Sequence, residues 1–453
     1  MDCEVIVVGG GIGGLVTAAL LAARGVDVCL FERQSRVGGC VASFSHLGCE
    51  FEPTVGLYSG WEPQSTWERI FSDLPLSRPA ATKLSPNFIV RLANGIDVEV
   101  SDDQEHFETN LTRAFSDCAD AAIAFFDQIR NAPRDGQIEV ASLLANTSRD
   151  FRDFIDVQLQ TFTQRTSNDC SAARAAEVLA VARGGLWSID GGAQLLAQRL
   201  ADCVRASGGR LRLDAPVLRL AYGSDGAPIG IDLLSGERVT ARRAIISNLT
   251  IWDTYGKLVG LTHTPKSVAA NLKRLTAWGA YLLFLTIDDP KTLPGSHMLV
   301  VCDRNESEPY APDRDQLLIN IASSASPASG NAAMTVTTFT NAQDWFSFHE
   351  DSRSYEKQDQ AALEFWWERL HQALPELGSS VEPIETASPQ TFYEMTRRRF
   401  GMIGSPFPAD LSDFDFSRTA FPNLFLVGDT SNRGIGLEAV GQSALVLADL
   451  LTT

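Results

Sequence analysis

The feature that most constrains this chain is the stretch at residues 5–14, where Val5-Ile6-Val7-Val8 runs directly into Gly9-Gly10-Gly11-Ile12-Gly13-Gly14. Four consecutive β-branched residues read as a strand buried on both faces. The apolar periodicity of Leu15, Val16, Ala18, Ala19, Leu20, Ala22 and Ala23 reads as a helix, closed by Gly25 as its C′ residue. The spacing Gly9-x-Gly11-x-x-Gly14 between them has a physical reason at each glycine. Gly9 makes the tight turn, Gly11 lets backbone approach a diphosphate, and Gly14 lets helix and strand pack closely. Ile12 and Gly13 open a helix whose unpaired N–H groups and positive pole face an anion. A second apolar strand at 26–31 ends in Glu32, at about the 20-residue spacing of a ribose-binding carboxylate, with Arg33 grouped beside it. A carboxylate there disfavours a 2′-phosphate, because like charges would meet.

The far end of the chain carries a matching signal. Residues 423–427 read as a buried strand that stops at Gly428-Asp429. Ligands in sheets of this kind bind beyond the carboxyl ends of the strands, so Asp429 is placed to accept hydrogen bonds from ribityl hydroxyls. Gly434-Ile435-Gly436 brings backbone close to a planar ring. The helix that follows, with Leu437 and Val440 in its first turns, aims its positive pole at that ring. One long nucleotide held at both poles points to FAD rather than NAD. Two further segments are assigned to it: Gly38-Gly39 near the diphosphate or flavin, and Val217, whose backbone would lie against adenine. No second GxGxxG follows a strand, so no dedicated NAD(P)H domain is expected.

At 453 residues the chain is long enough for two domains. A net charge of −18 argues against nucleic acid and against electrostatic docking on anionic lipid, though not against peripheral membrane contact through an apolar patch. The eight cysteines show no CxxC spacing and the six histidines no ligand spacing, so no metal site is expected. Cys3 and Cys29 read as small core residues. Without a basic leader or a run long enough to cross a bilayer, the expected location is the cytoplasm.

Between the two poles, 61–185 reads as largely helical, and Asp190-Gly191-Gly192 precedes an amphipathic helix. Short strands follow near 211–213, 217–220, 229–234 and 239–247, then strands at 281–287 and 334–339 and a helix at 358–374. The expected fold is α/β: a Rossmann-like FAD-binding domain of GR2-type flavoproteins, with an inserted α+β substrate-binding domain. The first takes 1–60, 185–255 and 395–453, the second 61–184 and 256–394.

The tail from Val427 to Val440 resembles the Gly-Asp-Ser, Pro-Gly-x-Gly-Val-x-Ala-Val pattern of the phytoene desaturase and carotenoid isomerase branch of the FAD-dependent amine oxidase superfamily. Ser388-Pro389-Gln390-Thr391-Phe392-Tyr393-Glu394-Met395-Thr396-Arg397 is similar to that branch's Thr-Pro-x-Thr-Phe-x-x-x-Thr-x-Arg segment, and Asp190-Gly191-Gly192 to its glycine pair. The chain departs from the pattern at Phe51-Glu52-Pro53-Thr54, at Arg433 in place of a proline, and at Cys40, where many amine oxidases carry arginine. The resemblance implies a hydrophobic polyene or isoprenoid lying in a tunnel, hydride exchange with flavin N5, and oxygen or a quinone as electron acceptor. Glu52, Arg183, Arg397 and Arg398 are the acid–base candidates, and Tyr58, Trp61 and Trp187 the tunnel-lining ones. Two other functions stay open: a flavin amine oxidase, and a prenyl-lipid escort protein that no longer uses FAD.

Overall fold

The computed structural model describes residues 2–46, 48–133, 138–305, 307–325, 331–346, 352–404, 419–431 and 434–452. Its elements are organised around two seven-stranded sheets. In the first, the Asp2–Val8 strand pairs in parallel with Val28–Phe31 on one side and Arg238–Ser247 on the other. Arg210–Arg212 extends it beyond Val28–Phe31, and Leu424–Leu426 adds in parallel to Arg238–Ser247. An antiparallel ribbon of Val217–Tyr222 and Pro228–Leu233 hangs from the amino-terminal half of Arg238–Ser247.

Alternation, interrupted by a bulge between Cys3 and Val5, splits this sheet between two cores. Val5, Val7, Val28, Leu30, Ala244 and Ile246 face the helices Ile12–Ala23, Gly192–Ala206 and Gly436–Thr452. Cys3, Ile6, Val8, Cys29, Phe31 and Ile245 face the ribbon and the buried Trp252, Tyr255 and Leu272. Coverage on both faces explains the uninterrupted apolar run at 5–8, and it places Cys3 and Cys29 in the core as expected. The first helix ends as read, with Gly25 at φ +81° and its N–H on Ala22 O at 2.9 Å.

The second sheet runs Val381–Ala387, Gly279–Ile287, Ala332–Thr340, Gln316–Ala325, His297–Val301, Phe88–Arg91 and Asp97–Val100. It is antiparallel except where His297–Val301 meets Phe88–Arg91. One face packs on the helix Ser352–Ala373 through Trp366 and Leu370, the other on phenylalanine-rich helices between Gln104 and Arg183. The expected strands at 281–287 and 334–339 fall inside these elements, and the helix expected at 358–374 matches the later part of Ser352–Ala373, which stops one residue earlier.

The region 61–185 is not only helical. It supplies Ala81–Lys83, which pairs with Trp187–Ile189, and two strands of the second sheet, Phe88–Arg91 and Asp97–Val100, joined by a turn at Gly95 (φ +83°). Both are four-residue runs, too short for periodicity to tell strand from helix. A small hairpin, Phe44–His46 with Cys49–Phe51, occupies what reads in sequence as plain connection. Among the described residues no helix is long and apolar enough to cross a membrane.

Candidate functional site

The carboxyl ends of the parallel strands open onto a cleft of about 620 Å³. Gly9, Gly11, Ile12 and Gly13 form its floor, and Glu32, Arg33 and Val217 line one end. Gly428, Asp429, Leu437 and Val440 line the other, with Gly38 and Gly39 between. Of the cofactor residues read from sequence, Gly14 lies beneath the floor, and Gly436 (φ +64°) starts the final helix outside the lining.

The glycines hold this floor by steric necessity. Gly9 takes φ +102°, and a Cβ on Gly14 would stand 2.2 Å from Gly9 O. A Cβ on Gly11 would meet Asn248 Nδ2 at 2.7 Å, and one on Gly13 would meet Asn248 Oδ1 at 2.7 Å. Asn248, which sequence reasoning missed, follows the Arg238–Ser247 strand. Its N–H bonds Val8 O at 2.8 Å and its side-chain amide reaches Gly9 O at 3.4 Å. The available signal was position: an amide at a parallel strand's carboxyl end lies in the ligand crevice.

Glu32 is buried with each oxygen used, Oε2 accepting from Gly10 N at 2.7 Å and Oε1 from Gln34 N at 2.8 Å. The carboxylate thus braces the glycine turn as well as facing the cleft. The Gly38-Gly39 doublet lies on the cradle, with Gly38 N bonded to Gly10 O at 2.9 Å.

At the opposite end the geometry differs from expectation. Asp429 is bound by Arg398, NH2 to Oδ2 at 2.8 Å and NH1 to Oδ1 at 3.2 Å. Cys40 stands beside this pair; burial pushes its thiol up, while the Arg398 guanidinium pulls the other way. Arg398 arrives on the stretch after Pro389–Thr396, a helix with a capping box between Ser388 and Thr391. That stretch roofs the cleft. Arg33 donates to Glu394 O (3.1 Å), Gln34 to Met395 O (2.6 Å) and Lys257 to Arg397 O (3.2 Å). Burial and the neighbouring Arg397 guanidinium together pull Arg33 below the usual arginine range. Arg397, at φ +59°, lines the cleft with its guanidinium over the Tyr393 ring.

The other candidates stand away from the cleft lining. Glu52 accepts from Ala193 N at 2.9 Å, at the start of Gly192–Ala206, and from the Tyr58 hydroxyl. Arg183 lies 4.0 Å over the Phe107 ring and bonds Gln104 Oε1, inside helix packing. Tyr58 and Trp187 pair backbone to backbone, while Trp61 reaches Pro79 O and Trp187 reaches Glu62. These aromatics join segments rather than wall the cleft. Arg433 falls outside the described residues. Among those described, no group of three or more His, Cys, Asp or Glu side chains is placed to hold a metal ion.

Comparison with known proteins adds to this geometry. A family model described as an NAD(P)-binding Rossmann-like domain matches residues 7–74. The chain is 25% identical to chloroplastic prolycopene isomerase of Arabidopsis thaliana, over 98% of this chain and 82% of that protein. It is 22% identical to the 4,4′-diapophytoene desaturase (4,4′-diapolycopene-forming) of a Methylomonas species, over 99% and 95%. Among solved structures, an oxidoreductase from Methanosarcina mazei superposes with a TM-score of 0.74 at 18% identity, covering 99% of this chain and 100% of that one. Putrescine oxidase bound to putrescine gives 0.65 at 15%, each chain covered in full (100%). At these identities the structural likeness establishes the fold, a Rossmann-like dinucleotide domain joined to a second sheet. Along nearly its whole length the chain resembles the phytoene desaturase and carotenoid isomerase branch of the FAD-dependent amine oxidase superfamily.

Proposed function

We propose that this chain is an FAD-dependent oxidoreductase that desaturates or isomerises a hydrophobic polyene or isoprenoid. The observation that carries the reading is one continuous cleft, from Glu32 and Val217 over the glycine floor to Asp429 and Leu437. Its residues fit a dinucleotide. A side chain at Gly11 would have to displace the Asn248 amide and one at Gly13 would also press on Gly428 N at 3.2 Å, carboxylates stand at both ends, and two helix N-termini open onto it.

When bound, FAD would supply a flavin N5 able to accept hydride from a C–H bond, with oxygen or a quinone taking up the electrons. Glu32 would accept from the ribose hydroxyls, and the N–H groups at Gly11–Gly13 would meet the diphosphate. Gly38 and Gly39 would let backbone approach it, and Val217 would hold the adenine. Asp429 would accept from the ribityl chain, and the helix Gly436–Thr452 would favour negative charge on the ring. Relatives named for prolycopene and 4,4′-diapophytoene support a hydrocarbon substrate. In this reading 1–60, 185–255 and 395–453 form the cofactor domain, and 61–184 and 256–394 the substrate domain.

The test is the absorption spectrum of the purified protein, then anaerobic incubation with cis-polyenes and with saturated isoprenoid precursors. Bound FAD, together with new conjugation or a cis-to-trans change in the extracted lipid, is expected. A protein that stays colourless with added FAD would sink the reading and favour the lipid escort. Peroxide from simple amines, with polyenes unchanged, would replace it with amine oxidation.

A further inference from the structure

We infer that Arg398 is a positioning residue that holds Asp429 for the ribityl chain. The inference rests on the FAD reading above and goes further, assigning a role to a residue that would not itself touch the reacting atoms. Arg398 is nearly buried, with 12% of its side chain exposed, whereas Asp429 keeps 38% exposed toward the cleft. The guanidinium is fixed from behind as well as in front: its Nε donates to Met402 O at 2.7 Å and its NH2 also reaches Gly404 O at 3.4 Å. A planar fork with its donors engaged in this way has one orientation, and a lysine could not reproduce it.

The carboxylate is held but not used up. Two carboxylate oxygens offer about four lone-pair sites, and the bidentate pair takes two of them. The remaining sites lie on the exposed, cleft-facing side, where hydroxyl donors would approach. Other charged or titratable groups face the same pair. Cys40 stands beside both, and Asp253 lies close behind Arg398, accepting from Arg399 N at 3.2 Å while paired to Lys257 at 2.8 Å. Asp253 thus has its own cation, which leaves the Arg398 fork to Asp429. Arg398 reaches the pair from the end of the helix that follows the edge strand Val381–Ala387 of the second sheet. Arg398 therefore stands just past the point where the chain leaves the second sheet and returns to the cofactor domain.

A double-mutant cycle on FAD affinity tests this. Apoproteins carrying Arg398→Gln, Arg398→Lys, Asp429→Asn, and Arg398→Gln with Asp429→Asn are titrated with FAD by flavin fluorescence. Their thermal melting is followed in parallel. Arg398→Gln is expected to weaken FAD binding by about 10- to 100-fold, with Arg398→Lys recovering part of the loss. Once Asp429→Asn is present, Arg398→Gln is expected to change affinity by no more than about twofold, because the two act as one unit. Two results would overturn the inference. Unchanged or tighter binding in Arg398→Gln would mean that the pair blocks the site, or is irrelevant to it. Losses that multiply independently, or that simply track a fall in melting temperature, would mean that Arg398 does not act through Asp429. If the wild-type apoprotein binds no FAD at all, it is the cofactor reading that fails instead.

Discussion

Replacing Gly14 with alanine tests whether the cradle is built by contact between helix and strand end. The added Cβ would sit 2.2 Å from Gly9 O, a backbone atom, and 3.1 Å from Asn248 Cβ. A carbon next to a carbonyl oxygen needs about 3.3 Å, so the helix start and the glycine turn must part by about 1 Å. Forcing a methyl into a filled site costs about 1–3 kcal/mol, and the upper end applies because the obstacle is backbone. Against this, alanine inside a helix is favoured over glycine by roughly 1 kcal/mol. The steric term wins, and a net loss of about 2 kcal/mol is expected in urea unfolding of the apoprotein. Because the part that moves is the floor of the cleft, FAD affinity should also drop by at least about tenfold. Gly25→Ala serves as control: its φ is +81° but nothing lies within 4 Å of the new methyl. It should cost about 1–2 kcal/mol through backbone strain alone and leave FAD affinity unchanged. A Gly14→Ala protein as stable as wild type, with FAD affinity intact, would refute the steric account of the motif.

Glu32→Ala leaves the N–H groups of Gly10 and Gln34 without acceptors, so a loss of about 2–4 kcal/mol and a matching fall in FAD affinity are expected from urea unfolding and FAD titration. Two buried groups should tilt the pH dependence of stability in opposite directions. Burial pulls His297 from 6.5 to about 4, so the unfolded chain binds the extra proton between these values and the group's contribution is lost as pH falls through that window. Burial raises Asp156 from 3.8 to about 6, so its contribution is lost as pH rises through 3.8–6. Between pH 4 and 6 His297→Gln should therefore resist acid better than wild type and Asp156→Asn worse; urea midpoints that shift in parallel at every pH would refute both assignments. Arg183→Ala removes a cation stacked on Phe107 and should lower melting temperature while leaving FAD affinity within about twofold. A selective loss of polyene turnover without destabilisation would contradict its placement in helix packing.

Sequence reveals most where the physics is local. Gly9, Gly11, Gly14 and Glu32 fall within one strand–turn–helix–strand unit; Gly14 is imposed by the nearby Gly9 O and Glu32 accepts from the N–H of Gly10, whereas Gly11 meets the distant Asn248. The apolar strands at 5–8 and 26–31 were legible for the same reason. Asn248 was not, because its contact with Gly9 spans 239 positions and an asparagine after a strand has no signature of its own. The pairing of Asp429 with Arg398 escaped for a different reason. Each was read singly, as a ribityl acceptor and as an acid–base candidate, and only the fold brings them together. Tyr58 and Trp61 are buried, and Trp187 half-buried, where they join segments of the chain, and none is among the residues that line the cleft.

The last strand, Leu424–Leu426, pairs with Arg238–Ser247, and the last helix packs on the first, Ile12–Ala23. During synthesis the nucleotide cradle therefore emerges long before the strand and helix that form its opposite wall. The second sheet is delayed too, since Phe88–Arg91 must wait for His297–Val301. Folding of this architecture waits on segments far apart in the chain, and nascent pieces expose bare parallel strand edges that invite chaperone binding or aggregation. Ligand present when the second wall docks would trap the finished cleft, so holoprotein yield should depend on flavin supply at that moment rather than later.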